Sequence, residues 1–187
     1  MTKRIILAVS GSISAYKAAD LTSRLKKKGY DVHVIMTEAA QAFITPLTLQ
    51  VLSKNPVHTD VMEEKLAERI NHIDLAKETD LFIVAPASAN TIAKLAHGMA
   101  DNMLTATALA LPSTTPKLIA PAMNTKMYEN PLTRKNLDTL HDLGYQEILP
   151  KSGLLACGDT GRGALADIAV IIESIDNALT RKGVYDE

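Results

Sequence analysis

Short runs rich in apolar residues recur along the chain and alternate with segments of helical periodicity. The runs that favour strands are residues 5–9, 31–36, 80–86, 117–121 and 145–149. Apolar runs of this length are typical of strands covered on both faces, as in a parallel sheet. Because these strands alternate with helices, the pattern predicts a single-domain α/β fold with a doubly wound parallel sheet, a Rossmann-like (flavodoxin-like) three-layer sandwich.

The segments between these runs carry signals for helix starts and ends. Ser12 or Ser14 can cap a first helix, and Gly29 is a natural end for it. Short helices are predicted to open at residue 46 and at residues 88–91. Two further helices are predicted over residues 132–143 and from residue 168, the latter with a continuous apolar face.

Residues 150–166 differ in kind from the rest of the chain. This stretch has neither helical nor strand periodicity, and it is crowded by Gly153, Gly158, Gly161 and Gly163. Glycine-rich segments of this length without periodicity are typical of functional loops. We predict a mobile loop that closes over a substrate.

Length, composition and charge exclude several classes of protein. A chain of 187 residues with 47% hydrophobic and 22% charged residues suits one globular domain. Its formal net charge of −1 implies no broad attraction to nucleic acid or to an anionic membrane. The apolar run 5–9 is too short for an export signal, and no segment approaches the ~20 apolar residues of a membrane span. We therefore expect a cytoplasmic protein.

The cysteine and histidine content narrows the chemistry further. Cys157 is the only cysteine, so an intramolecular disulfide and a multi-cysteine metal site are excluded. The five histidines are scattered without metal-ligand spacing, and we predict no metal site. No Gly-x-Ser-x-Gly elbow occurs, which makes a hydrolase a weak alternative.

Three predicted strand ends carry small, hydroxylated residues, at residues 10–12, at Thr37 and at residues 88–91. In such sheets ligands bind beyond the carboxyl ends of the strands, where helix N-termini favour a phosphate. A dinucleotide fingerprint needs about three glycines in its first loop, whereas only Gly11 is present here. The loops suit the terminal phosphate of a mononucleotide such as FMN, although each loop alone equally suits a helix cap or a turn.

Four motifs occur in one order along nearly the whole chain. They are Asn71-His72-Ile73, Pro86-Ala-Ser-Ala-Asn90, Pro121-Ala-Met-Asn-Thr-Lys-Met127 and Leu155-Ala-Cys-Gly158. This set resembles the homo-oligomeric flavin-containing cysteine decarboxylases, and the Pro-x-Met-Asn-x-x-Met element is specific to them. Within that family the likeness is greatest to members that act on 4′-phosphopantothenoyl-cysteine in coenzyme A biosynthesis. Tyr128 departs from the tryptophan often found after the second methionine.

The resemblance implies a role for each matched residue. His72 matches the active-site histidine, while Asn124 and Met127 match substrate and flavin contacts. Cys157 matches the cysteine of the reductive step. The stretches that hold FMN are matched by Gly11, Ser12, Ser88, Ala89 and Asn90, to which the strand-end pattern adds Thr37. Substrate binding is also expected of Met123, with Lys126 or Arg162 as candidates for its phosphate.

The implied reaction requires an electron sink that a C-terminal cysteine lacks, because no carbonyl lies β to its carboxylate. Oxidation of the thiol to a thioaldehyde creates the sink, and reduction of the resulting enethiol gives a saturated thiol. His72 is suited to proton transfer near neutral pH. The resemblance also implies a homo-oligomer, a trimer or a dodecamer built from trimers, and a separate ligase for the preceding pathway step.

Taken alone, each residue has a plain structural interpretation. His72 suits a surface or capping histidine, Cys157 a small buried hydrophobe and Asn124 a helix cap. Met123 and Met127 suit the inner face of a helical turn. These interpretations do not predict that the residues occur together, whereas the family resemblance does.

Three other functions remain as alternatives. A purely oxidative peptidyl-cysteine decarboxylase would release the enethiol and would not need Cys157. A non-catalytic regulatory flavoprotein would act by binding a protein, and such relatives usually carry long acidic or disordered extensions. A flavin prenyltransferase should lack the pairing of Asn124 with Cys157. Because fold alone does not separate these functions, the site residues must decide.

Overall fold

A parallel six-stranded sheet forms the centre of the protein, for which the computed structural model describes residues 2–63, 71–154, 158 and 160–185. Its strands are β1 (Arg4–Val9), β2 (Asp31–Met36), β3 (Val57–His58), β4 (Leu81–Ala87), β5 (Lys117–Pro121) and β6 (Tyr145–Glu147). Their order in the sheet is β3-β2-β1-β4-β5-β6, and every pairing is parallel. The predicted doubly wound α/β sheet is therefore confirmed, in the strand order of Rossmann folds.

The described helices cover both faces of the sheet. They are α1 (Lys17–Lys27), α2 (Glu38–Gln41), α3 (Pro46–Ser53), α4 (Asn71–Lys77), α5 (Ala89–Ala96), α6 (Met103–Ala110), α7 (Thr125–Glu129), α8 (Pro131–Asp142) and α9 (Ile168–Tyr185). Of the two serines that can cap the first helix, Ser12 is the N-cap, and it opens a 3₁₀ turn that leads into α1. No helix among the described residues is long and apolar enough to cross a membrane.

Alternate side chains of β1 belong to two separate apolar cores. Ile5 and Leu7 pack with residues of α1 and α9, whereas Ile6 and Ala8 pack with residues of α5, α6 and α8. All four side chains are fully buried. Burial on both faces accounts for the continuous apolar run, and each buried isoleucine or leucine contributes about 1.5–3 kcal/mol to folding.

The glycine-rich stretch differs from the predicted irregular loop. Within it, β7 (Lys151–Leu154) and β8 (Thr160–Ala164) pair as an antiparallel hairpin. Apolar periodicity fails to predict this hairpin because its register is set by backbone bonds and by close packing of glycines. The mobility expected of residues 150–166 stays a prediction.

At the switch point of the sheet, the ends of β1 and β4 are joined by one buried hydroxyl. Ser10 Oγ donates a hydrogen bond to the carbonyl of Pro86 at 2.8 Å and accepts one from the amide of Ser88 at 2.8 Å. The backbone amide of Ser10 also donates to Pro86, at 3.2 Å. These bonds fix the relative position of the two loops that follow β1 and β4, where ligands bind in this class of sheet.

At the opposite, amino-terminal edge, Asp31 is the centre of a polar network. Its carboxylate accepts from Asn55 Nδ2 at 2.9 Å, from Arg4 Nε at 3.1 Å and lies 3.0 Å from His33 Nε2. Burial alone would raise the pKa of Asp31, but the hydrogen bonds from Asn55 and His33, together with the nearby positive charges, lower it to about 2.

We expect this network to set part of the acid stability. Because the folded-state pKa of Asp31 lies below its ordinary 3.8, its stabilising effect is present above about pH 4 and is lost as pH falls towards 2. Urea unfolding between pH 2 and 6 should give a steeper loss of unfolding free energy for the wild type than for Asp31→Asn. The exposed Asp138→Asn variant should retain the wild-type slope; a wild-type slope in Asp31→Asn would refute this account.

Candidate active site

Two adjoining cavities of about 490 Å³ and 480 Å³ lie at the carboxyl ends of β1, β2, β4 and β5. The first is lined by Gly11, Ser12, Ile13, Ser14, Tyr16, Lys17, Phe43, Ser88, Ala89, Ala122, Met123, Asn124, Met127, Gly163 and Ala164. The second is lined by Gly11, Thr37, Glu38, Ala39, Ser88, Ala89, Asn90, Thr91, Lys94, Asp101, Asn102 and Met127. Their volumes are within the usual range for small-molecule sites.

Nine of the residues predicted from sequence thus lie around these two cavities: Gly11, Ser12, Thr37, Ser88, Ala89, Asn90, Met123, Asn124 and Met127. The four residues shared by both cavities are Gly11, Ser88, Ala89 and Met127. They mark the boundary where a single elongated ligand can occupy both spaces.

The loop after β1 requires a glycine at position 11. A Cβ atom placed on Gly11 would lie 2.6 Å from the Cβ of Ala39 and 3.2 Å from its carbonyl carbon. Such contacts are too short for any side chain, so the loops after β1 and β2 approach as closely as the backbone allows. Gly11 and Ala39 both line the second cavity, so this packing helps to define its wall.

The hydroxyl groups that were predicted to bind a ligand serve as helix caps in the structure. Thr37 Oγ1 accepts from the amide of Ala40 at 3.2 Å, and Ser88 Oγ accepts from the amide of Thr91 at 3.3 Å. Ser12 Oγ accepts from the Ser14 amide at 3.3 Å and donates to the Ala122 carbonyl at 3.3 Å. The capping interpretation and the ligand-binding interpretation are therefore compatible, since caps place helix N-termini around the cavities.

The loop after β5 carries Met123 and Asn124 into the first cavity. Asn124 is the N-cap of α7, and its Oδ1 accepts from the amide of Lys126 at 2.8 Å. Met127, on the single turn of α7, is half exposed and lines both cavities. An amide group and two thioethers thus project from one short turn at the cavity wall.

The hairpin packs directly on this turn through two glycines. The amide of Met123 donates to the carbonyl of Gly163 at 2.9 Å. A Cβ atom on Gly163 would lie 2.3 Å from the Met123 carbonyl oxygen, and one on Gly161 would lie 2.5 Å from Thr125 Oγ1. Side chains are excluded at both positions, which explains the glycine content of β8.

The basic residue at the first cavity is not one of the two that the sequence suggested for phosphate binding. Lys17 is the one basic residue among the described residues that line the first cavity, and its Nζ lies 5.9 Å from the centroid of the Tyr16 ring. Lys126 and Arg162 are exposed, and neither is among the residues that line the two cavities. Their role in phosphate binding stays a prediction.

In the second cavity the basic residue is paired. Lys94 Nζ lies 2.5 Å from Asp101 Oδ2, and the hydrogen bond from Lys94 lowers the pKa of Asp101. Asn102 caps α6 in a reciprocal arrangement with Thr105. Because their opposite charges are paired, Lys94 and Asp101 together contribute little net charge to the second cavity.

His72 lies on the first turn of α4, which packs against α6. Its Nδ1 is buried and has no hydrogen-bond partner among the described residues. His72 is not among the described residues that line either cavity. Cys157, the other predicted catalytic group, lies outside the described residues.

Tyr16, Lys17 and Phe43 are among the residues of the first cavity that sequence reasoning missed. Lys17 is the first residue of α1, directly after the 3₁₀ turn that Ser12 opens. Tyr16 and Phe43 are 59% and 47% exposed. Exposed aromatic residues at a cavity mouth give no periodic pattern that would mark them in sequence.

Fold and cavities thus define a parallel α/β protein that binds a ligand at the switch point of its sheet. The family described as Flavoprotein matches residues 1–180. The chain therefore belongs to this family.

Among individual relatives, the "Probable phosphopantothenoylcysteine decarboxylase" of Streptococcus mutans serotype c (strain ATCC 700610 / UA159) is 64% identical over 179 residues, which are 96% of this chain and 100% of the relative. The "Coenzyme A biosynthesis bifunctional protein CoaBC" of Bacillus subtilis (strain 168) is 49% identical over 171 residues. That match covers 91% of this chain but 42% of the relative, so the chain spans less than half of the bifunctional protein.

Two solved structures superimpose on this chain over most of its length. A PPC decarboxylase mutant complexed with pantothenoylaminoethenethiol superimposes with a TM-score of 0.86 at 35% identity, covering 94% of this chain and 97% of the other. The FMN binding protein AtHal3 superimposes with a TM-score of 0.83 at 36% identity, covering 94% and 96%.

Proposed function

We infer that this chain is a phosphopantothenoylcysteine decarboxylase, which converts 4′-phosphopantothenoyl-cysteine to 4′-phosphopantetheine and CO₂ in coenzyme A biosynthesis. The observation that carries the inference is the convergence of Gly11, Ser88, Asn124 and Met127 on two adjoining cavities. The 64% identity to a relative of that name, over its full length, supports the same reaction. We further propose that the protein acts in the cytoplasm.

The cavities suit FMN as the cofactor. Gly11 and Ser88 would hold it where the loops after β1 and β4 meet, and Met127 would contact it between the two cavities. The helix N-termini that Ser12, Thr37 and Ser88 cap lie around these cavities and would offer backbone amides to its phosphate. When bound, FMN supplies the two-electron chemistry that oxidises the substrate thiol and later reduces the enethiol, so no external oxidant is needed.

The protein's own groups bind the substrate and move protons. The Asn124 amide can donate a hydrogen bond to the substrate carboxylate without the ionic hold that would oppose loss of CO₂. His72 would accept the proton of the substrate thiol or stabilise the thiolate. Cys157 would deliver a proton as the enethiol becomes a saturated thiol, and the hairpin that flanks it would exclude water.

We propose that the site is completed between subunits of a homo-oligomer, a trimer or a dodecamer of trimers. His72 and the Asn124 cavity lie apart within one chain, since the described cavity linings do not include His72. The side chain of Leu109 on the neighbouring α6 is 64% exposed and is available for such an interface.

The test is to incubate the purified protein with FMN and 4′-phosphopantothenoyl-cysteine under anaerobic conditions and to follow the products by mass spectrometry. We expect 4′-phosphopantetheine and CO₂ in equal amounts without added oxidant. An enethiol product would instead assign the chain to the oxidative decarboxylases. Absence of turnover with FMN bound would refute the proposed reaction and favour a regulatory flavoprotein.

Lys17 is the residue we expect to recognise the substrate phosphate. Loss of one charge-assisted contact costs about 1.5–3 kcal/mol, so Lys17→Met should raise KM about 10- to 150-fold for the phosphorylated substrate. The KM for pantothenoyl-cysteine, which lacks the phosphate, should stay unchanged. Lys126→Met and Arg162→Met are the comparison variants, and a phosphate-specific increase in either of them but not in Lys17→Met would assign the role to that residue instead.

A further inference from the structure

Within α7, all of which the structure describes, Tyr128 is the one buried residue. Lys126, Met127 and Glu129 are exposed, while Tyr128 is only 3% exposed. A helix of five residues has too few internal hydrogen bonds to be stable by itself. Its position therefore depends on contacts with the rest of the protein, which include the hairpin on one side and the buried Tyr128 on the other.

The hydroxyl of Tyr128 contacts the edge strand of the sheet. It donates a 2.7 Å hydrogen bond to Glu147 Oε1, and Glu147 pairs with Ile119 of β5 through the β6 ladder. Arg134 of α8 lies over the Tyr128 ring at 4.9 Å from its centroid, and its Nη1 is 3.7 Å from Glu147 Oε1. A strand, a helix and the ring of Tyr128 thus meet at one carboxylate.

The backbone of Tyr128 contacts the site itself. Its amide donates to the carbonyl of Asn124 at 3.0 Å, which closes the turn that presents Asn124 and Met127 to the cavities. A displacement of the Tyr128 ring is therefore transmitted through one backbone hydrogen bond to Asn124. Burial and the hydrogen bond to Glu147 both raise the pKa of Tyr128, which keeps its hydroxyl protonated as a donor.

We propose that Tyr128 is a positioning residue, which holds the turn carrying Asn124 and Met127 in place through its hydrogen bond to Glu147. Its effect on turnover rests on the proposed function, in which Asn124 binds the substrate. Its effect on the position of the turn does not depend on the proposed function.

The test compares Tyr128→Phe with Tyr145→Phe, a matched control. Tyr145 is also buried, lies on β6 two residues before Glu147 and has a cation, Lys117 Nζ, 5.7 Å from its ring centroid. In Tyr128→Phe we expect hydrogen exchange of the amides of residues 124–129 to accelerate at least ~5-fold while exchange in β1 stays unchanged. Affinity for FMN, measured by fluorescence quenching, should fall ~3-fold or more, because Met127 is displaced. Tyr145→Phe should change neither quantity.

Kinetics give a second measurement. Because a displacement of about 1 Å of a binding group lowers turnover strongly, kcat/KM should fall ~10-fold in Tyr128→Phe. Glu147→Gln keeps an oxygen acceptor and should retain most activity, whereas Glu147→Leu should behave like Tyr128→Phe. The double variant Tyr128→Phe/Glu147→Leu should be no worse than either single variant.

Unchanged exchange of residues 124–129 in Tyr128→Phe would overturn the proposal, whatever the activity. Equal acceleration in β1 would overturn it as well, because the residue would then serve general stability. If the wild type fails to turn over the substrate, the proposed function falls, while exchange and FMN affinity still decide the role of Tyr128.

Discussion

His72→Ala is expected to lower the rate of decarboxylation by at least ~100-fold, the usual contribution of a positioned acid or base. The variant should fold and bind FMN normally, since His72 is not among the described residues that line the cavities. Steady-state kinetics, with thermal melting and FMN titration as controls, measure this effect. A loss of FMN binding that matches the loss of activity would contradict a role in proton transfer.

The same variant tests whether the site lies between subunits. His72→Ala and Asn124→Ala should each be inactive alone, but subunits that are unfolded together and refolded as a mixture should regain activity. Suppose that each site takes His72 from one chain and Asn124 from another. In an equal mixture of the two variants, each of these chains then has an even chance of carrying the native residue, so about a quarter of the sites contain both. Activity that stays at the level of the single variants would place both residues of each site on one chain.

Gly11→Ala is expected to weaken FMN binding strongly. The new methyl group would lie 2.6 Å from the Cβ of Ala39, so the loops after β1 and β2 must separate. Overpacking of this kind costs about 1–3 kcal/mol, which corresponds to about a 5- to 150-fold loss of affinity if the strain falls on the binding-competent form. Fluorescence titration of the apoprotein with FMN measures it.

The second-site variant Gly11→Ala/Ala39→Gly is the control for this explanation. It removes the Cβ that the new methyl group meets, although the Ala39 carbonyl carbon remains at 3.2 Å. We expect most of the lost affinity to return. Ala39→Gly alone should bind FMN as the wild type does, and failure of the double variant to recover would show that the methyl group obstructs the cofactor rather than the neighbouring loop.

The sequence predicted the elements that rest on strong local patterns. The strands β1, β2, β4 and β5 follow apolar runs because residues on both of their faces are buried, and α9 follows a continuous apolar face. By contrast, α6 was not predicted, because Met103 to Ala108 are all buried and leave no polar face to define a period. The short helices α2 and α7 depend on caps and on one or two buried contacts, which give little pattern.

The candidate site could be predicted from sequence only where a motif carries it. Nine predicted residues line the cavities, because strand-end loops of a parallel sheet meet at one edge. Lys17 was missed because a single lysine in the first turn of a helix is common in any sequence. The separation of His72 from the cavities depends on the packing of α4 against α6, which no local motif encodes.

The bonds of Ser10 to Pro86 and Ser88 bear on how the apoprotein acquires its cofactor. They are made within the protein at full burial and do not involve a ligand. The two loops at the switch point are therefore preorganised, and little chain entropy remains to be lost when a ligand arrives. Cofactor exchange can then proceed by simple entry and exit, with the sheet intact throughout.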